Sequence, residues 1–195
     1  MEVTLKQPED AIQDTKQYII DTARQLFSEY SYLGVSMSDI AKKLNITKAA
    51  LYYHFTGKAE VYEKVLDDVF YDLDLTIAQA LRETTIDKKL HKLIKNYLNF
   101  GFGEKNLIKA FLLKLPPADA QITKDIVHLK ERLAHRIRPI VEEVVTDKKW
   151  VKKVNSRLLT SMLMSMMDGL ILEYSFIGKK ANSAKVANQI IAVLF

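Results

Sequence analysis

The feature that most restricts how this chain can fold is a helical spacing of apolar residues with very few interruptions. From residue 14 to residue 30, apolar side chains recur three and four positions apart, which is the spacing of one buried helix face. Only 6 Gly and 4 Pro occur in 195 residues, so few positions break a helix. The sequence therefore predicts an all-α protein, with helices at 14–30, 39–44, 48–53, 58–81, 87–101, 105–115, 119–146, 151–177 and 183–195.

Composition excludes several classes of protein. Hydrophobic residues make up 48% of the chain, enough to bury a core. The absence of cysteine excludes disulfides, thiolate zinc sites and cysteine nucleophiles. No apolar run approaches the roughly 18 residues of a membrane-spanning helix, and the polar beginning of the sequence lacks the apolar stretch of a secretory signal. We therefore expect a cytoplasmic protein with no membrane partner.

The charge of the chain is distributed unevenly. The net charge is +5, and the segment from Lys42 to Lys58 contains four lysines and no carboxylate. A basic segment of this kind favours a surface that faces phosphates. Taken alone, the charge fits a solvated helix face equally well.

The segment SMSDIAKKLNITKAALYYHF, which begins at Ser36, has the pattern of a helix-turn-helix. Ser36 or Ser38 is placed to cap the first short helix and Thr47 the second, while Asn45 supplies a left-handed turn between them. Gly34 is expected to take a positive φ where the preceding helix ends. The two short helices are predicted to share an apolar core made of Ile40, Leu44, Ile46, Leu51 and Phe55.

The second helix of this motif carries side chains suited to DNA. Its N-terminal end would point into the major groove, which is about 12 Å wide and admits one helix. Ala49 is small enough for the backbone to approach the bases. The other residues predicted to face DNA from this helix are polar, with donors for phosphates at its C-terminal end: Thr47, Lys48, Tyr52, Tyr53 and His54.

From Phe27 to Lys58 the chain resembles the N-terminal signature of the TetR family of transcription regulators, most specifically in the sequence LYYHFTGK that ends at Lys58. The resemblance implies a three-helix, helix-turn-helix DNA-binding domain at 12–58. It also implies a larger helical domain at 59–195 that binds an effector and dimerises.

The resemblance also implies roles for individual residues. Lys48 and Ala49 would face bases, and Ser36 and Lys58 would bind phosphates. The complete set of predicted DNA-binding residues is Ser36, Ser38, Thr47, Lys48, Ala49, Tyr52, Tyr53, His54 and Lys58.

The chain departs from the family pattern at three positions. Ser31 and Asn45 stand where Gly is usual, and Val35 stands where Thr is usual. The missing hydroxyl at Val35 implies one contact fewer to the DNA backbone.

The predicted body could hold a pocket for a small apolar or amphipathic effector, because methionine side chains repack readily around different ligands. The pocket set is Val65, Leu66, Tyr97, Phe100, Phe111, Met162 and Met166, although the same residues would serve a plain helical core. By the family resemblance, the last two long helices would form a homodimer interface. The residues predicted for it are Leu158, Met162, Gly169, Leu172, Val186, Ile190 and Leu194.

No catalytic or metal-binding constellation accompanies these features. The four histidines lack the spacing of metal-binding motifs, and no phosphate-cradling loop or nucleophile motif is present. We therefore predict no enzyme activity, catalytic residue, metal or other cofactor.

The leading hypothesis is a sequence-specific transcription regulator, a repressor that binds a palindromic double-stranded operator as a homodimer under the control of a small-molecule effector. Two alternatives stay open. One is a TetR-like co-regulator that acts through protein contacts without reading an operator, and the other is a small helical enzyme.

Overall fold

The protein is built from α-helices. The computed structural model describes residues 8–104, 120–147, 155–178 and 181–195, and no strand occurs within these ranges. This confirms the predicted all-α class. The helices are α1 Pro8–Tyr30, α2 Met37–Leu44, α3 Lys48–His54, α4 Lys58–Leu81, α5 Ile86–Gly103, α6 Ala120–Asp147, α7 Ser156–Ile177 and α8 Ser183–Leu194.

The helices begin where short polar side chains cap them. Ser36, Thr47 and Thr85 each accept a hydrogen bond from the third backbone amide of α2, α3 and α5, and asparagines cap α7 and α8 in a similar way. Such caps satisfy amides that have no partner inside the helix. The predicted bounds of α2 to α5 agree with the structure within two residues.

Two helices begin at residues other than those predicted, and one predicted helix cannot be compared with the structure. The structure begins α1 at Pro8 rather than at residue 14, and α7 at Ser156 rather than at residue 151. The predicted helix at 105–115 lies outside the described residues.

The contacts divide the chain into two units, residues 1–68 and 69–195. The division falls within α4. The domain boundary predicted between residues 58 and 59 lies at the beginning of this same helix, and the separate functions assigned to its two sides stay predictions.

The first unit is organised by aromatic packing. Tyr62 of α4 contacts Phe27 of α1 edge-on, with ring centroids 5.0 Å apart, and contacts Tyr32 in the α1–α2 connection at 4.7 Å. All three rings are buried. An ion pair of 2.6 Å between Arg24 and Asp68 also joins α1 to α4, and α2 packs against both α1 and α3.

The second unit is centred on α5, which packs against α6, α7 and α8. Gly101 allows the close approach of α5 to α7, because a Cβ atom at this position would lie 2.2 Å from Cδ1 of Ile171. The core of α5 consists of Leu90, Leu93, Ile94 and Leu98, each almost completely buried.

Nowhere in the described parts of the chain is a helix both long and apolar enough to cross a membrane.

A polar cluster lies inside this otherwise apolar unit. Asp168 is buried on α7, and one of its oxygens accepts a hydrogen bond of 2.8 Å from the hydroxyl of Tyr97. The other oxygen is 3.3 Å from Nζ of Lys130 on α6. Burial, and then the nearby Asp168 carboxylate, raise the pKa of Tyr97 well above its ordinary value, so the hydroxyl stays protonated and donates. The cluster therefore joins α5, α6 and α7.

We predict that Tyr97→Phe destabilises the protein by about 1–2 kcal/mol, because it removes a donor from a buried carboxylate. Tyr71→Phe is the matched control, since the Tyr71 side chain is 64% exposed, and it should change stability by less than about 0.5 kcal/mol. Urea unfolding of the two variants measures both effects. Equal stabilities would show that the hydrogen bond to Asp168 contributes nothing.

Candidate nucleic-acid interface

The first helix of the helix-turn-helix begins at a reciprocal cap. Ser36 Oγ accepts from the Asp39 amide at 3.2 Å, while Oδ2 of Asp39 accepts from the Ser36 amide at 2.8 Å and from its hydroxyl at 2.6 Å. These hydrogen bonds hold the pKa of Asp39 below its ordinary value. Ser36 is thus the N-cap of α2, and the exposed Ser38 lies in the first turn of the helix.

The turn between α2 and α3 has the predicted left-handed residue. Asn45 takes φ 55° and ψ 39°, and its amide donates back to the carbonyls of Ala41 and Lys42. Ser31 also lies in the left-handed region, with φ 64°. Both are positions where the resembled family usually has glycine, the residue that adopts the left-handed region most readily.

The expectation for Gly34 was wrong. The positive φ at the end of α1 belongs to Ser31 and not to Gly34. Gly34 is required for another reason, since a Cβ atom there would lie 2.2 Å from the carbonyl oxygen of Tyr30. The missing side chain allows the chain to pass close to the last turn of α1.

The shared core of the two short helices is smaller than predicted. Ile40 and Leu51 are fully buried, and Phe55 is nearly so. Leu44 is half-buried. Ile46 is 37% exposed, which contradicts its predicted place in the core, because it lies in the turn after Asn45 and outside both helices.

Helix α3 presents most of its surface to solvent. Of its seven residues, only Leu51 is fully buried and His54 is half-buried. The side chains of Tyr52 and Tyr53 are 46% and 76% exposed, and the Tyr53 ring meets His54 edge-on at 5.1 Å. Thr47 caps the helix, with its Oγ1 accepting from the Ala50 amide at 3.1 Å. The remaining exposed residues of α3 are Lys48, Ala49 and Ala50.

The side chain of Lys58, the predicted phosphate ligand at the beginning of α4, contacts Tyr32 of the same chain. Its Nζ donates to the backbone carbonyl of Tyr32 at 3.0 Å and lies 4.2 Å from the centroid of the Tyr32 ring. The side chain is therefore held by a hydrogen bond and a cation–π contact. A phosphate would have to compete with these contacts for Lys58.

Helices α2, α3 and α4 differ in whether their first turn contains an acidic side chain. At α4, Oε2 of Glu60 accepts from the amide and the hydroxyl of Thr56, both at 2.7 Å, which lowers the pKa of Glu60. Asp39 occupies the equivalent place in α2, whereas α3 has no acid in its first turn. A carboxylate opposes an approaching phosphate, so α3, which begins with Lys48, is the most favourable of the three for DNA.

The predicted pocket residues are distributed over both units, and their role in ligand binding stays a prediction. Val65 and Leu66 are buried in the first unit, and Tyr97 is buried in the second. Phe100 and Met166 are half-buried, Met162 is 48% exposed, and Phe111 lies outside the described residues. A cavity of about 690 Å³ between α4 and α6 contains none of these residues in its lining.

The predicted interface residues fall into two groups. On α7, Leu158 and Met162 are 59% and 48% exposed, Gly169 is exposed and Leu172 is half-buried. The three residues predicted on α8 are buried within the chain itself: Val186, Ile190 and Leu194.

Sequence reasoning missed the buried cluster of Asp168, Tyr97 and Lys130. A signal for it was present, because Asp168 directly follows the apolar, methionine-rich segment 162–167, and buried charges require partners. In the part of the chain that the structure describes, no three His, Asp or Glu side chains are grouped so that they could hold a metal ion.

Comparison with protein families and relatives finds matches to the part of the chain that contains α2 and α3. The model of the bacterial regulatory proteins of the tetR family matches residues 19–65, which include α2 and α3. A Staphylococcus epidermidis protein, the biofilm operon icaADBC HTH-type negative transcriptional regulator IcaR, is 34% identical over 114 residues, or 58% of this chain. The matched region spans 60% of that relative, so the chain is aligned with less than two thirds of its length.

Solved structures share the fold along nearly the whole chain. The fatty acid degradation regulator FadR from Bacillus halodurans superposes with a TM-score of 0.79, at 18% identity, over 98% of this chain and 96% of that one. The transcriptional regulator FadR from Bacillus subtilis in complex with stearoyl-CoA has a TM-score of 0.75, also at 18% identity, with coverages of 90% and 95%. At this identity the likeness shows the fold alone.

We predict that Gly34→Ala destabilises the protein by about 1–3 kcal/mol, because its Cβ would force the backbone away from Tyr30. Gly57→Ala is the matched control, since nothing lies within 4 Å of its added Cβ. That control should be neutral, or stabilising by up to about 1 kcal/mol. Urea unfolding measures both changes, and equal effects of the two substitutions would refute the steric role of Gly34.

Proposed function

Because residues 19–65 match the model of the bacterial regulatory proteins of the tetR family, we propose that this chain is a sequence-specific, DNA-binding transcription regulator. It acts as a repressor, and a small apolar or amphipathic ligand controls its binding to the operator. It works in the cytoplasm, where bacterial DNA is accessible to it.

The exposed surface of α3 is the observation that carries this proposal. Lys48 and Tyr52 are both exposed, and they share a face of the helix because they are four positions apart. A short helix with small residues and a single cation at its beginning suits entry into the major groove. Lys48 and Ala49 would read base edges, while the hydroxyls of Tyr52 and Tyr53 would bind phosphates and hold the register.

The names of similar proteins support the regulatory role. The Staphylococcus epidermidis relative is called a negative transcriptional regulator, which favours repression. The Bacillus subtilis structure contains stearoyl-CoA, a ligand with an apolar chain and a charged end. Both proteins are regulators, so no enzyme activity is proposed for this chain.

The protein would bind DNA as a homodimer, because one reading helix contacts only a few base pairs and a palindromic operator presents two equivalent half-sites. We assign the interface to α7, where exposed apolar side chains recur along one face: Leu158, Met162 and Phe176. Gly169 and Leu172 lie on the same face. The residues predicted on α8 are buried where this helix packs against α5, and Val193, which is 71% exposed, would be the apolar side chain that α8 presents to a partner.

We expect Leu158→Glu to dissociate the dimer. Because of two-fold symmetry, the substitution introduces the charge twice and removes two apolar side chains that each contribute about 1.5–3 kcal/mol. The affinity of the dimer should therefore fall by at least about a hundredfold. Val127→Glu is the control, because Val127 is 50% exposed on α6. Sedimentation at micromolar concentration should show a monomer only for Leu158→Glu, and a monomeric wild-type chain that still binds its operator would refute the assignment.

Binding of the purified protein to fragments of the DNA upstream of its own gene tests the regulatory function itself. A shift of one fragment with a palindromic site supports operator reading. If the protein shifts no fragment, it is instead a co-regulator that works through protein contacts.

Lys48→Ala should change which bases are preferred, with discrimination at one position falling by about 1–3 kcal/mol, or roughly tenfold to a hundredfold. Lys43→Ala removes the same charge from α2 and should lower affinity, if at all, by a similar factor for every sequence. Affinities for a panel of operator variants at fixed salt compare the two. A uniform loss for Lys48→Ala would make it a phosphate contact and overturn its base-reading role.

A further inference from the structure

The second unit contains a cavity that the sequence did not indicate. It lies between α4 and α6 and has a volume of about 690 Å³, within the range of small-molecule sites in proteins. Phe70 and Asp74 contribute to it from α4. The residues that line it from α6 are His128, Leu129, Glu131, Arg132, Leu133, His135 and Arg136.

The floor of the cavity is apolar. Phe70, Leu129 and Leu133 are at most 7% exposed, so each presents only a small part of its surface to the cavity. An apolar group that covers them would remove this remaining surface from water, which favours binding. The floor therefore suits the apolar part of a ligand.

The lining carries two acids, Asp74 and Glu131, and two arginines, Arg132 and Arg136. Arg136 is paired with Asp74, with hydrogen bonds of 2.8 and 3.4 Å, and His128 lies 3.7 Å from Glu131. Asp74 is thus held by Arg136, whereas Glu131 is exposed and lies beyond hydrogen-bond distance of His128. Arg132 is exposed and forms no hydrogen bond or ion pair with the residues that the structure describes. One guanidinium at the edge of an apolar cavity is left for a ligand.

We propose that this cavity binds an organic anion with an apolar portion, whose acidic group is held by Arg132. A guanidinium presents paired N–H donors that match the two oxygens of a carboxylate, sulfonate or phosphate. The apolar portion lies on Phe70, Leu129 and Leu133. A neutral ligand would leave Arg132 unused, and a cation would be repelled by it.

The anion would be the effector of the proposed regulator. Only this identification of the ligand as the effector rests on the proposed function. Phe70 and Asp74 lie on α4, the helix that begins at Lys58. A ligand in the cavity therefore contacts a helix that continues into the unit containing α2 and α3.

The test compares two fluorescent probes that differ only in an acidic group. 8-Anilino-1-naphthalenesulfonate carries a sulfonate, and N-phenyl-1-naphthylamine is its neutral counterpart. Arg132→Gln should weaken binding of the sulfonate about tenfold and leave the affinity of the neutral probe within twofold, while Arg132→Lys should retain part of the preference. Lys124→Gln is the control, because Lys124 is exposed on the same helix and does not line the cavity.

Several results would overturn the inference. The inference fails if the sulfonate probe does not bind the wild-type protein, or if it binds Arg132→Gln as tightly as wild type. An equal loss of both probes would show that Arg132 acts on the shape of the cavity and not on the acidic group. Operator binding by the same preparations separates the two proposals, since Arg132→Gln should still shift the DNA. If wild type shifts no DNA but distinguishes the probes through Arg132, the regulatory function fails and the anion site stands.

Discussion

The arrangement of the first unit depends on the packing of Tyr62 against Phe27 and Tyr32. The three rings come from α1, from the segment that follows it and from α4, and they are buried together. Tyr32 is also the residue whose carbonyl and ring bind Lys58. The aromatic cluster therefore fixes both the segment that leads into α2 and the beginning of α4. Because α2 packs against α1 and α3, the exposed surface of α3 is supported by the same cluster.

Among the N-termini of α2, α3 and α4, the electrostatics favour that of α3 for the proposed contact with DNA. Asp39 and Glu60 cap α2 and α4 with carboxylates that are strongly hydrogen-bonded. Their lowered pKa values mean that these caps stabilise the fold above the ordinary carboxyl pKa and are lost as the pH falls through the lowered values. Helix α3 is capped by the neutral Thr47, so its first turn keeps the positive character that the other two have neutralised.

The second unit combines an apolar core with one buried carboxylate. Asp168 would be costly without partners, and Tyr97 and Lys130 supply them from two other helices. The cavity between α4 and α6 has a different character, since Asp74 is paired with Arg136 while Arg132 has no partner among the described residues. A buried acid thus serves the architecture, whereas a free cation at an apolar cavity suits a ligand.

Much of the local structure could be predicted from the sequence, because it depends on interactions between residues close together in the chain. Helical spacing of apolar residues, N-caps such as Thr47 and the left-handed turn at Asn45 act over three or four positions, and the structure agrees with them. Other features depend on residues far apart in the chain. The contact of Lys58 with Tyr32, the exposure of Ile46 and the partners of Asp168 follow from which elements meet. The same holds for α8, where spacing predicts an apolar face but only packing against α5 decides that Ile190 lies inside the unit while Val193 faces outward. The sequence by itself determined where most of the helices begin and which side chains α3 carries. Only the tertiary structure decided which apolar faces are covered and where a cavity remains, because burial depends on how distant helices pack.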